Sequence, residues 1–301
     1  MRKIKIITDS CSDMTAELME KYDIDYAKMS FVRDGKEYDA TLTWDLHSPA
    51  EYFGMIRNGE KLSTTQVPVS EFDRIFRKYI AEGYDIIYIG ISLRQSGSVN
   101  TGLVVAKDLM KEFPEVKIGC INSLKGSIGI GMLAIYASKL AKAGKTFEEI
   151  MEAVEEQKYY VNQFMTVYSL ESFRRTGRVE NDEAYQANLM AVKPIMISDA
   201  NGAQVPIKKI RGRAASLKEI VDLTVAAGAN DAEQDDCVYL SQGDCEEEEI
   251  EELKKMIAEA LPNKKLVIVP FGPIIGVSVG PDAVGLWSFG AKVTYKAGEA
   301  K

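Results

Sequence analysis

Residues 86–106 read IIYIGISLRQSGSVNTGLVVA, and the fold reading starts from them. Ile86 to Ile91 is a short apolar run interrupted only by Gly90, the composition of a strand buried in a parallel sheet. Ser92 to Asn100 is small and polar. From Thr101 the apolar residues Leu103, Val104, Ala106, Leu109 and Met110 recur at helical spacing. The pattern is strand, polar elbow, helix. In an open α/β sheet such an elbow lies at the carboxyl end of a strand, where free N–H groups at a helix start favour anionic groups. Ser96, Gly97 and Ser98 offer two hydroxyls and a close backbone approach there; a capped helix start explains the same residues without a ligand.

The chain has 301 residues, 46% hydrophobic and 27% charged, enough for about two globular domains. Its formal charge of -8 argues against a general nucleic-acid binder. No apolar run reaches the length of a membrane span, and MRKIKIITDS at the start has no signal-peptide core, so a cytoplasmic protein without an integral membrane segment is expected. Cys11, Cys120, Cys237 and Cys245 are scattered and form no CxxC, consistent with reduced thiols. His47 is the only histidine, which excludes a multi-histidine metal site within the chain.

Outward from the elbow, strand and helix signals alternate along the whole chain, giving an α/β fold. Strands are expected at 3–7, 25–32, 37–41, 116–121, 164–167, 193–197, 204–210, 237–241, 265–269 and 293–295. Helices are expected at 14–22, from Ser48-Pro49 to Asn58-Gly59, from Ser70 to Tyr79, at 146–161, at 184–191 and at 214–227. Residues 61–68 read as a hydroxyl-rich loop. Pro206 inside a strand predicts an edge position or a bulge. A change of composition near Asn162 divides the chain into an N-terminal α/β domain, 1–160, with a mainly parallel sheet, and a C-terminal α/β domain, 161–301.

Two motif readings remain weak. Thr8 to Asp13 is dense in oxygen ligands, but it has neither EF-hand spacing nor a Walker loop to support a Mg²⁺ or Ca²⁺ site. Gly126, Gly129 and Gly131 do not form GxGxxG, so no dinucleotide is implied.

Taken in order, the polar stretches carry a resemblance. They are ITDSCSD (7–13), STTQVPVSEF (63–72), IGISLRQSGSVNTG (89–102), NSLKGSIGIG (122–131), SLESFRRTGRV (169–179), KPIMISDANG with KKIRGR (193–213) and GPIIGVSVGPDAVG (272–285). As an ordered set they resemble the DegV family of bacterial fatty-acid-binding proteins. The resemblance implies a two-domain fold with one long-chain fatty acid held between the domains. It further implies a carrier that is not itself a catalyst and needs no cofactor or metal. Such a carrier presents the lipid to a separate ATP-dependent fatty acid kinase. Thr64 and Gln66 match the family's Thr-Ser-Gln motif, with Thr65 in place of the serine. Ser96 and Gly97 match its Ser-Gly-Thr elbow. The resemblance therefore assigns Thr64 and Ser96 to the carboxylate. Arg178 and Arg211 match family arginines expected near the head group or facing the kinase. Ser278 stands where the family often has a histidine close to the head group, and is a possible third polar contact.

Two other functions are compatible with the residues. One is an α/β binding protein for another amphiphile or a small anion. The other is a phosphoryl-transfer or hydrolytic enzyme using Asp9 and Asp13, for which no Walker, kinase or G-x-S-x-G motif is visible.

Overall fold

The computed structural model describes residues 2–180 and 192–298; the helix expected at 184–191 lies outside them. The chain divides into two compact units. The first comprises Met1–Leu46, Leu62–Lys158 and Gly272–Ile274; the second comprises His47–Lys61, Tyr159–Phe271 and Ile275–Lys301. The main crossing falls at Lys158/Tyr159. Unlike a single cut after residue 160, the division exchanges two segments, 47–61 and 272–274, between the halves of the sequence.

In chain order the first half runs β1 (Lys3–Asp9), α1 (Ala16–Tyr22), β2 (Ile24–Ala27), β3 (Met29–Arg33), β4 (Lys36–Ala40), α2 (Pro49–Arg57), β5 (Ser63–Thr65), α3 (Val69–Ala81), β6 (Tyr84–Gly90), α4 (Ser98–Glu112), β7 (Ile118–Asn122), α5 (Ile128–Lys142) and α6 (Phe147–Gln157). The run expected as one strand at 25–32 is two, β2 and β3, which join different sheets. Residues 63–65, expected as loop, pair with β3.

The first unit holds a parallel sheet in the order β2-β1-β6-β7 and a small antiparallel sheet in the order β4-β3-β5. Ile6 and Ile7 of β1 and Ile86 to Ile89 of β6 are at most 2% exposed. Strands covered on both faces in this way read as continuous apolar runs rather than alternating ones. Phe72, Ile75, Phe76 and Tyr79 form the buried stripe of α3. Helix α5 is buried all round from Ile128 to Ile135, which explains the continuous apolar run there. Gly131 on α5 is a packing glycine: a Cβ there would lie 2.8 Å from Met14 Cγ and 3.3 Å from the Ser12 carbonyl oxygen.

The second half runs β8 (Val161–Thr166), α7 (Glu171–Thr176), β9 (Val192–Ser198), β10 (Gln204–Arg211), α8 (Arg213–Ala226), β11 (Cys237–Gln242), α9 (Glu247–Ala260), β12 (Lys265–Pro270), α10 (Pro273–Val279) and β13 (Val284–Phe289). The second unit forms one mixed sheet, β10-β9-β8-β13-β11-β12. β10 is an edge strand whose register shifts between Pro206 and Lys208, the irregularity that its proline predicts. Leu217, Ile220 and Val221 of α8 and Leu253 and Ile257 of α9 pack with Val284 and Leu286 of β13. Helix α2 also belongs to this unit and opens with a capping box between Ser48 and Glu51.

One expectation fails at the C-terminal end, and one strand was not expected. Residues 293–295 are not a strand; Val293 N donates to the Tyr159 carbonyl at 2.8 Å outside any ladder. The strand is instead β13, in the middle of the sheet and antiparallel to both neighbours. All six of its residues are buried, so it lacks polar alternation, and the glycines around it resemble a loop. No helix among the described residues is long and apolar enough to cross a membrane.

Candidate functional site

In the parallel sheet the chain steps from β1 outward to β2 on one side and to β6 on the other. The switch point therefore lies between β1 and β6. The loops leaving β1, β6 and β7 meet at the carboxyl edge of the sheet and are dense in buried polar groups. Thr8, Asp9, Ser10, Ser12, Asp13, Ser92, Ser98, Ser123, Lys125 and Ser127 are all at most 2% exposed.

Hydrogen bonds tie these loops together. Asp9 accepts from the Cys11 amide at 2.9 Å, the Tyr88 hydroxyl at 2.7 Å and the Ile91 amide at 3.0 Å, fixing the exit of β1 to the exit of β6. Asp13 accepts from the Ser127 hydroxyl at 2.6 Å and the Gly272 amide at 2.9 Å. Burial raises the pKa of both acids by penalising the charged carboxylate, and for Asp13 it outweighs the two hydrogen bonds and pushes the value up to about 8. Asp13 is therefore mainly protonated at neutral pH. Asp13, Leu124 and Ser127 all have φ between 50° and 59°, a region that non-glycine residues rarely occupy. These carboxyls hold the loops; neither is exposed to act on a substrate in solution.

The elbow is built on this floor. Ser92 N donates to the Lys125 carbonyl at 3.0 Å, and the Ser92 carbonyl accepts from Gln95 N at 2.9 Å and Ser96 N at 3.1 Å. That turn presents the half-buried Ser96, and Gly97 leads into α4 with no side-chain cap. The loop after β5 closes over it. Gln66 Nε2 donates to Thr101 Oγ1 at 3.0 Å, and Val67 N donates to Ser98 Oγ at 3.2 Å. Gln66 Oε1 lies 2.4 Å from where a Cβ on residue 97 would sit, so this approach uses the missing side chain of Gly97. Thr64 and Thr65 are half-buried on β5, opposite Phe31 and Ser30. Among the described residues, neither threonine hydroxyl has a hydrogen-bond partner. The structure thus brings together Thr64–Gln66 and Ser96–Gly97, two stretches separated by thirty residues of sequence.

The other expected residues lie in the second unit. Ser278 is half-buried on α10, beside Gly276, whose position packs against the Phe53 ring. Arg175 donates to the Val277 carbonyl at 3.1 Å, linking α7 to α10. Arg178 follows the left-handed Gly177 that ends α7, and its guanidinium donates to the Thr176 carbonyl. Arg211 is exposed at the end of β10. Arg213, two residues further on, is engaged internally. It forms a two-point pair with Glu249 at 2.8 and 2.5 Å and donates to the Asp282 carbonyl at 2.7 Å. The Tyr168 ring carries Lys193 Nζ at 3.8 Å and the Arg213 guanidinium at 4.9 Å. This cluster was not expected from sequence, because Tyr168 lies in a loop and Lys193, Arg213 and Glu249 come from three separate elements.

Among the described residues one group has metal-ligand spacing, Asp235, Asp236 and Cys237. Its members are already engaged. Asp235 accepts from the Tyr239 hydroxyl at 2.9 Å, Asp236 pairs with Lys265 at 2.6 Å, and burial pushes the Cys237 thiol up to about 12. It makes no case for a metal.

The class so defined is a two-unit α/β protein with a polar site at the switch point of a parallel sheet. Residues 3–290 match the family model described as uncharacterised protein, DegV family, and the chain belongs to that family. A DegV domain-containing protein of Clostridium perfringens is 30% identical over 290 residues, covering 96% of this chain and 98% of the relative. Among solved structures, a DegV family protein from Thermus thermophilus, described as binding fatty acid, superposes with a TM-score of 0.83 at 24% identity. The match covers 96% of this chain and 100% of that one. DegV from Bacillus subtilis, described as a fatty acid binding protein, gives a TM-score of 0.80 at 24% identity with the same coverage.

Proposed function

We propose that this protein binds a long-chain fatty acid, with Thr64 and Ser96 donating to its carboxylate and Thr65, Gln66 and Gly97 shaping that end of the site. The supporting observation is the pair of half-buried segments at the switch point. There the Thr64 hydroxyl is uncommitted among the described residues, and Ser96 lies two residues before the start of a fifteen-residue helix whose first N–H groups favour an anion. Related proteins described as fatty-acid-binding support the choice of ligand. An acyl tail supplies most of the affinity, about 0.8 kcal/mol for each buried CH₂, and the hydroxyls keep the carboxylate from being buried unsatisfied.

In this reading the protein is a non-catalytic carrier in the cytoplasm. It presents the lipid to an ATP-dependent fatty acid kinase, with Arg178 and Arg211 serving the phosphorylated head group or the partner and Ser278 available as a third polar contact. Palmitate and oleate titrations of wild type, Thr64→Ala and Ser96→Ala test the head-group assignment. Each substitution should weaken binding by about 10- to 150-fold, the equivalent of about 1.5–3 kcal/mol for a hydrogen bond to a charged group. Wild-type affinity in both variants would defeat it. Charge reversal at Arg178 and Arg211 should lower acyl-phosphate formation by the kinase and leave palmitate affinity intact; loss of palmitate binding would remove them from that role.

A further inference from the structure

The two serine hydroxyls of the elbow do different work. Ser98 is 0% exposed, and Ser96 is half-buried. Their oxygens are 3.0 Å apart, a distance at which either can donate. Ser98 Oγ already accepts from the Val67 amide at 3.2 Å, and Ser96 Oγ already accepts from the Ser98 amide at 3.3 Å. Among the described residues these are all the side-chain bonds that either serine makes.

The proton count decides the direction. A hydroxyl has one hydrogen to give. If Ser96 donated to Ser98, the hydrogen of Ser98 would be buried without an acceptor, the costly arrangement for a polar group. If Ser98 donates to Ser96, Ser98 is satisfied as both donor and acceptor. Ser96 Oγ then accepts twice, from the amide and the hydroxyl of Ser98, and its own hydrogen is left for an anion.

We propose that Ser98 is a positioning residue that holds the Ser96 hydroxyl in the donor orientation and, through the Val67 amide, fixes the Thr64–Gln66 segment against the elbow. The inference rests on the reading of Ser96 as a carboxylate donor. It adds a buried residue that never touches the ligand. It also predicts a preference for an acceptor-only anionic head group over a neutral one, because the site is preset with its donor hydrogen outward.

Two measurements on the full chain test this. Neutron diffraction from deuterated crystals without added lipid locates the hydroxyl deuterium atoms. The deuterium of Ser98 should point at Ser96 Oγ; a Ser96 deuterium pointing at Ser98 Oγ overturns the proposal, whatever the ligand proves to be. The second measurement titrates palmitate and hexadecanol against wild type, Ser98→Ala, Ser98→Thr, Ser96→Ala and the Ser96→Ala/Ser98→Ala pair. Ser98→Ala should weaken palmitate about 3- to 10-fold and hexadecanol less, and Ser98→Thr should restore palmitate binding. In the Ser96→Ala background the palmitate-selective part of the Ser98 effect should vanish. Equal losses for both lipids, or an undiminished selective effect without Ser96, would make Ser98 merely structural and overturn the proposal. Unchanged palmitate affinity in Ser96→Ala, with the deuterium placed as expected, would instead defeat the carboxylate reading while leaving the hydroxyl geometry intact.

Discussion

Replacing Asp13 by asparagine should flatten the pH dependence of stability. The carboxyl is 2% exposed, and its pKa is raised from 3.8 to about 8, first by burial and then, against two opposing hydrogen bonds, by the nearby Asp9. An acid whose folded pKa lies above its unfolded one binds more protons when folded, so stability falls as pH rises between the two values. The advantage is complete below about pH 4 and is lost as pH passes through 8. The shift of about four units corresponds to a ceiling of about 6 kcal/mol, with a slope of at most about 1.4 kcal/mol per pH unit. Asparagine suits the same contacts. Its carbonyl can accept from Gly272 N as Asp13 does, and its amide can donate to Ser127 Oγ once that hydroxyl, which donates to Asp13 in the wild type, turns its hydrogen away. Urea unfolding followed by circular dichroism from pH 5 to pH 8.5 should show the wild-type midpoint falling with pH and the Asp13→Asn midpoint falling less. The two should converge at the acidic end. Asp9, raised for the same reason, leaves a residual slope in both. Parallel pH profiles for the two proteins would show that Asp13 is ionised in the folded state and refute the reasoning.

Gly290→Ala should destabilise the second unit by about 1–3 kcal/mol, because its Cβ would sit 2.2 Å from the Ala227 carbonyl oxygen, backbone that cannot rotate away; a thermal melt reads this as a lower Tm, and an unchanged Tm would refute it. Ser278→His should raise the ratio of palmitate affinity at pH 6 to that at pH 8 above the wild-type ratio, since imidazole gains its charge near pH 6.5. Normalising to wild type removes the contribution of Asp13, which titrates over the same range in both proteins. Equal ratios would take residue 278 out of the carboxylate's surroundings.

The parts of the fold legible in the sequence are those in which local pattern and tertiary role agree. The apolar run of β6 followed by the polar elbow gave the parallel sheet, Pro206 gave an edge strand with a bulge, and Ser48-Pro49 gave a helix start. Long-range partition was not legible. Helix α2 carries an ordinary capping box and an ordinary apolar face, and nothing local says that Tyr52 and Phe53 pack with Gly243 and Gly276, some 190 to 220 residues later. The strand β13 failed for the opposite reason: burial of both faces erased the alternation that would have marked it. In the candidate site, hydroxyl-rich loops could be picked out by composition, but the partners could not. The contact of Gln66 with Gly97 and Thr101, and the bond from Val67 to Ser98, depend on where β5 docks, and three residues of β5 are too few to show a period.

The same bonds give the proposed site, although it is made of loops, a base that would need little reorganisation on binding. Ser123 N donates to the Gly90 carbonyl at 3.2 Å, Ser92 N to the Lys125 carbonyl, Ile91 N to Asp9, and Ser127 Oγ to Asp13. The exits of β1, β6 and β7 are thus cross-linked beneath Ser96 by groups that are themselves buried. A donor standing on such a base loses little freedom when it meets an anion, so the cost of ordering it is met during folding rather than during binding. The raised pKa of Asp13, about 8, acts in the same direction, since a protonated carboxyl in that floor would not repel the proposed carboxylate. Loosening the floor should therefore appear chiefly in the affinity for charged lipids, whereas truncating an apolar wall would weaken charged and neutral lipids alike.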